Sequence, residues 1–356
     1  MAKTNKSRQG FLARKNIVIS ARRYGIDALG AMAQGLFASL LIGTILNTLG
    51  TQFGISALVD VGAYASAMSG PAMAVAIGYA LQAPPLVLFS LVTVGSAANQ
   101  LGGAGGPLSV LFIAIIASEL GKAVSKETRV DILVTPLVTI LAGVGLSALI
   151  APAIGKAASS IGNIIMWATN QQPFLMGIIV SVVVGIALTL PISSAAICAA
   201  LGLTGLAGGA AVAGCCAQMI GFAFMSFKEN KWGGLVSQGI GTSMLQMGNI
   251  VRNPMIWIPP ILTSAVTGPV ATCLFRMQMN GSPVSSGMGT CGLVGQIGVY
   301  TGWINDIAAG TKTAVTGMDW LGLVLICFVL PAVLTPLFAI PLRRMGLIKD
   351  GDMKLD

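Results

Sequence analysis

ILVTPLVTILAGVGLSALIAPAIG, residues 132–155, runs without a single Asp, Glu, Lys or Arg. About 20 consecutive apolar residues cross the hydrocarbon core of a bilayer. Continuous rather than alternating hydrophobicity selects a helix over a barrel strand, because a helix satisfies its backbone amides internally. Residues 28–59, 61–118, 157–227, 253–275 and 320–342 are equally free of charge. Together these intervals hold roughly eight to ten crossings. Of the 356 residues 55% are hydrophobic and 9% charged, against roughly 25% charged in a soluble domain. A water-soluble fold is excluded, and the fold class is all-α, a polytopic integral membrane protein.

The charges that remain are sorted. Lys3, Lys6, Arg8, Arg14, Lys15, Arg22 and Arg23 precede the first acidic residue, Asp27. Basic residues stay on the cytoplasmic side, so the N-terminus is expected there. Lys122, Lys126 and Arg129 mark a cytoplasmic loop, and Arg343, Arg344, Lys349 and Lys354 place the C-terminus on the same side. Two cytoplasmic ends require an even number of crossings. The net charge of +9 is thereby explained by topology, and no nucleic-acid partner is expected. The first span reads as a retained anchor rather than a cleaved signal, since no small-residue cleavage pattern follows the basic region.

Spans are expected near 28–50, 56–81, 108–119, 132–152, 174–201, 204–226 and 320–341, with Lys156–Gln172 at the interface and Lys228–Lys231 as a loop. Pro84, Pro85 and the run Gly102–Pro107 break Gln82–Gly106, which reads as a discontinuous or re-entrant element, tolerated at membrane depth only where protein or a water cavity surrounds it. Residues 1–25 read as a basic cytoplasmic segment, 26–342 as one transmembrane domain and 343–356 as a cytoplasmic tail.

The available chemistry is narrow. The chain has no histidine, which removes the commonest general base and metal ligand. The six cysteines lie in apolar stretches without a C-x-x-C pair and read as small buried side chains. No catalytic residue, metal or cofactor is expected. Asp60 reads either as a coupling group or as an interfacial residue; an acid inside the membrane is functional by default.

Two polar stretches, 232–249 and 277–302, are too polar for lipid and too uncharged for a solvent loop. They are expected to meet inside the bundle around a cavity. In the second, Gly287–Gly292 formally matches G-x-G-x-x-G, but that fingerprint requires a βαβ unit, which a membrane bundle lacks. More informative are the recurring glycines 289, 292, 295 and 298 beside Ser285, Ser286, Thr290 and Gln296. Glycine lets backbone groups turn toward a ligand; a tightly packed hairpin is the alternative. At the end of the first stretch lie Gln246 and Asn249, and just beyond it Arg252 and Asn253, ahead of Pro254. Amides donate and accept, which suits a neutral polyhydroxyl or amide ligand. Alternatively they cap helix ends while Arg252 reaches for headgroups.

Asn253-Pro254 followed by Pro259 resembles the Asn-Pro segment of the membrane IIC components of sugar phosphotransferase systems. Tyr24–Leu29, Gly35–Leu40, Gly239–Gln246 and Gly287–Gln296 resemble, more narrowly, a stand-alone IIC-like group that includes perfringolysin-regulator-like (PfoR-type) membrane proteins. The likeness runs over most of 20–342. It implies a dimeric helical fold with re-entrant hairpins in the bacterial inner membrane, in which a sugar crosses and is phosphorylated by separate IIB and IIA partners. Two features of sugar-carrying relatives are missing here: their Glu-Pro falls by offset on Thr242, and their sugar-proximal histidine has no counterpart. The expected function is therefore a IIC-like permease for a small neutral solute working by alternating access, with a membrane sensor that keeps the fold as the alternative. The residues expected to line the site are Gln246, Asn249, Asn253, Ser285, Ser286, Thr290 and Gln296, with Asp60 or Arg252 as a charged contact.

Overall fold

The computed structural model describes residues 10–355; Lys3, Lys6 and Arg8, which contribute to the expected cytoplasmic N-terminus, lie outside them. Among the described residues the fold is helical, with one isolated bridge between Gly205 and Met279. Among the described residues six helical stretches are long and apolar enough to cross a membrane: Arg23–Phe53, Pro85–Val124, Asp131–Thr169, Gly205–Met225, Pro254–Leu274 and Gly317–Arg344. A seventh crossing results if Ser56–Ala67 and Ser69–Ala80, bent by 48°, count as one span. Pro173–Thr189 is apolar but only 17 residues long, at the lower limit for spanning.

The chain divides into two compact units. One comprises the described residues to Leu40 with Ala67–Gly155; the other comprises Leu41–Ser66 with the described residues from Lys156 onward.

In the first unit the stretch Pro85–Val124 is a hairpin rather than a rod. Pro85–Gly102 starts on proline, which suits a first helical turn because its missing N–H would be orphaned there. It stops at Gly103, whose φ of +50° is left-handed. The chain then reverses through Gly103–Gly105 into Gly106–Val124, so that Val87 comes to lie against Gly121. The open ends of the hairpin are tied by a polar cluster. Lys122, fully buried, pairs with Glu119 Oε2 at 2.8 Å and donates to the Leu81 carbonyl at 3.1 Å, while the Tyr24 hydroxyl donates to Glu119 Oε1 at 3.1 Å. A buried charge is tolerable only when paired and hydrogen-bonded in this way.

Three boundaries differ from the sequence reading. Asp131–Thr169 is one helix of 39 residues, so the segment beginning at Lys156 continues the span instead of lying apart. At about 1.5 Å per residue it extends roughly 58 Å, beyond the bilayer core; its Pro136 and Pro152 do not stop it. The expected span 174–201 breaks between Thr189 and Ser194, at Pro191. Lys228–Lys231 is helical, within Phe227–Val236, with the chain kinked at Lys231.

The second unit is built around Gly205–Met225, whose most apolar stretch is 94% buried. Its residues are mainly Gly, Ala and Cys, so neighbouring helices approach closely without a hydrophobic driving force, as small-residue faces permit in lipid. Pro173–Thr189, Ile258–Pro269 and Leu330–Arg344 pack against it. At Gly214 the Ser181 carbonyl occupies the space a Cβ would need. Polar side chains on these surfaces are paired: Gln218 accepts from Trp257 Nε1 at 2.9 Å and from Thr189 Oγ1 at 3.3 Å, and Thr263 and Thr335 share a hydrogen bond of 2.8 Å.

Candidate functional site

Both polar stretches belong to the second unit, and they meet where Ser237–Gly241 packs on Cys291–Leu293. Their side chains nevertheless go in two directions.

The amides form a ladder. Gln238 donates to Ser226 Oγ and the Gly234 carbonyl, both at 2.9 Å, and its Oε1 accepts from Gln246 Nε2 at 2.8 Å. Gln246 Oε1 accepts in turn from Asn249 Nδ2 at 2.8 Å. The remaining capacity is taken by the chain's own last residues. Gln246 Nε2 donates to the Met353 carbonyl at 2.9 Å, Asn249 Nδ2 to the Lys354 carbonyl at 3.0 Å, and Asn253 Nδ2 to the Leu347 carbonyl and Asp352 Oδ2, each at 2.8 Å. Glu229 accepts from the Met353 N–H and Asn230 from the Leu355 N–H. Ile348 and Met353 are buried beneath this segment. Asn253 also caps the next helix, accepting from Met255 N at 3.1 Å, and Thr242 does the same for Met244. Arg252 is exposed, 3.5 Å from Asn249 Oδ1. Outside the spans, Lys228 hydrogen-bonds Asp350 at 2.7 Å, and with Arg343 at 3.1 Å holds its carboxyl below the usual aspartate range.

The glycine-rich turn is different. Gly289 and Gly292 have φ of +55° and +51°, and Leu293 follows at +60°, a conformation that costs a side-chain-bearing residue roughly 1–2 kcal/mol. Glycine is needed at 289, where a Cβ would lie 2.6 Å from that of Cys215. This winding presses the turn onto the central helix and starts Val294–Ala308. Ser286 Oγ donates to the Leu203 carbonyl at 2.6 Å and is spent. Thr290 and Gln296 find only sulfur: Thr290 Oγ1 lies 3.5 Å from Met219 Sδ, and Gln296 Nε2 lies 3.2 Å from Cys216 Sγ. Thiols and thioethers are weak acceptors. Gln296, 8% exposed, has in addition an Oε1 without any partner. Ser285 is buried, and its hydroxyl bonds to none of the described residues.

Asp60 joins neither group. It is exposed on Ser56–Ala67, without a hydrogen bond or ion pair among the described residues. The main polar residue that the sequence reading passed over is Gln218, fully buried on the central helix; its signal was available, a lone amide in an uncharged span.

Charge-poor helices long enough to cross a bilayer, packed in the second unit on a small-residue core with neutral hydrogen-bonding groups turned inward, define a polytopic membrane protein. Residues 26–355 match the family model described as "Phosphotransferase system, EIIC". The chain belongs to that family, whose members are membrane components of sugar transport. No curated protein and no solved structure matches it.

Proposed function

We propose that this protein is a permease for a small neutral solute, a sugar in the first instance, that works by alternating access and holds its solute at the glycine-rich turn. The observation that carries this reading is Gln296: a buried amide whose oxygen has no partner and whose nitrogen reaches only a thiol. An unpaired buried polar group costs about 1–3 kcal/mol. A solute hydroxyl donating to Oε1 would recover that cost, with Ser285 and Thr290 in the same stretch as further partners and Ser286 left only as an acceptor. Gln246, Asn249 and Asn253 stand beside this site as a gate, engaged here by the terminal segment, with Arg252 at its rim. Asp60, exposed on Ser56–Ala67, would act away from the solute. The protein would sit as a homodimer in a bacterial cytoplasmic membrane, both termini inside, and would hand its sugar to a separate IIB protein.

The perfringolysin-regulator-like sensor is favoured by one observation, that neither a histidine nor a carboxylate stands among the proposed contacts, whereas charge-assisted bonds are the strong ones to hydroxyls. Uptake by sealed vesicles separates the two. With radiolabelled glucose, mannose, galactose, glucitol, mannitol and N-acetylglucosamine, a permease gives saturable uptake of at least one, retained when a phosphorylating partner or an ion gradient is supplied. Binding without accumulation under any of these conditions would reject the permease and leave the sensor.

A further inference from the structure

Past the far end of Pro254–Leu274, the helix that has Asn253 at its start, the second unit holds a cavity of about 390 Å³. Such a size is ordinary for a small-molecule site. The helix has 21 residues, or roughly 31 Å, so cavity and amide ladder are one bilayer core apart.

Four charged residues line the cavity, and they fall into two pairs of opposite behaviour. Lys312 and Asp319 neutralise each other at 2.9 Å, and Asp319 Oδ2 caps its own helix by accepting from Thr316 N and Oγ1, both at 2.7 Å. That pair is internally satisfied. Arg276 and Asp306 are not. Asp306 accepts at its carboxylate only from Asn280 Nδ2, at 3.1 and 2.9 Å, and has no cation within ion-pair distance among the described residues. A carboxylate offers about four lone-pair positions, so most of its capacity remains open. Arg276 has no hydrogen bond or ion pair among the described residues, and its φ is +47°. The flanking bonds Phe275 N to Val270 O at 3.1 Å and Met277 N to Ala271 O at 2.8 Å hold it in that conformation.

An unpaired guanidinium on a strained backbone and an unneutralised carboxylate thus share one cavity without touching. The four charges cancel, which disfavours an ionic ligand. Behind them stands an apolar wall of Phe275, Met277 and the edge of Trp303, whose ring is fixed by Trp320 at 5.3 Å. A ligand that donates to Asp306, accepts from Arg276 and lays C–H surface on the aromatic wall is a neutral polyhydroxyl molecule.

We propose that this cavity captures a neutral polyhydroxyl solute at the membrane face opposite the terminal segment. Its role in admitting solute for transport rests on the permease reading; its binding of the solute does not. Tryptophan fluorescence of the full chain in detergent tests it, with glucose, mannose, galactose, glucitol, mannitol and N-acetylglucosamine as probes and alanine as the zwitterionic control. At least one probe should give a saturable change, weakened about tenfold to a hundredfold by Asp306→Asn, as expected for losing a charged hydrogen-bond partner. Arg276→Gly should weaken binding similarly while leaving thermal stability equal or higher, since glycine accepts positive φ without strain; a purely structural arginine would not behave so. No saturable response to any probe, a response unchanged in both cavity variants, or a response to alanine alone overturns the proposal. A response lost only in Gln296→Ala overturns it while supporting the solute site at the turn.

Discussion

The amide ladder and the glycine-rich turn lie side by side in one unit and are built from similar neutral groups, yet they differ in what is left over. In the ladder, Gln246 bonds Gln238, Asn249 and the Met353 carbonyl, and Asn253 bonds both Leu347 and Asp352. In the turn, Gln296 Oε1 has no partner and Thr290 reaches only a thioether. A saturated polar cluster stabilises the fold, and an unsaturated one pays a standing cost that a ligand can offset. Residue type alone does not distinguish the two; the hydrogen-bond inventory does.

The comparison presumes that the central helix holds both regions in place, and the largest expected effect tests that. Gly214→Val should abolish accumulation of folded protein, because the Ser181 backbone carbonyl already fills the Cβ position and backbone cannot move aside as a flexible side chain can. Normal yield and melting temperature, measured by fluorescence-detected size exclusion during heating, would show that the close approach is not required.

Gln246→Leu comes next. It strands Gln238 Oε1 and one N–H of Asn249, each at about 1–3 kcal/mol if no water reaches it, while the Met353 carbonyl keeps only its bond from Asn230. Thermal stability should fall by at least one such increment and the segment from Leu347 onward should become sensitive to protease. A stable, protease-resistant variant would dissolve the contrast between the two regions.

The smallest effect is electrostatic. Asp350 is held below its ordinary value of 3.8, first by its hydrogen bond to Lys228 and then by Arg343. A depressed carboxylate contributes stability that is present above the unfolded value and is lost as pH falls through the folded one. Protease accessibility of the terminal segment should therefore be flat from neutrality to about pH 5 and rise only below 3.8, and Asp350→Asn should flatten part of that rise. As the group is exposed, high salt should shrink the effect further. A release centred near neutrality would require another titrating group.

Much of the fold was legible because it rests on one-dimensional signals. The absence of charge brackets Gly205–Met225 and Gly317–Arg344 to within three residues of the expected 204–226 and 320–341. Less legible were features that depend on what a segment meets. Lys156 interrupts the hydropathy of residues 131–169 without interrupting their helix, since a single lysine can extend to the interface. The docking of residues 347–355 leaves no mark in composition, because it is made largely by backbone carbonyls that every residue has. At the candidate site, the residue types were readable from the glycine spacing and the amides. Which amides were already occupied was not, for that depends on partners about a hundred positions away in the chain.

The central claim, that the unsatisfied turn and not the saturated ladder binds solute, is tested most directly by measuring solute affinity and melting temperature together in Gln296→Ala and Gln246→Ala. The probe is whichever sugar or polyol from the uptake series the parent protein accumulates. The account predicts that Gln296→Ala weakens its binding by about threefold to more than a hundredfold with little loss of stability, while Gln246→Ala lowers the melting temperature and leaves affinity within about twofold. Unchanged affinity in Gln296→Ala together with a large loss in Gln246→Ala would contradict it.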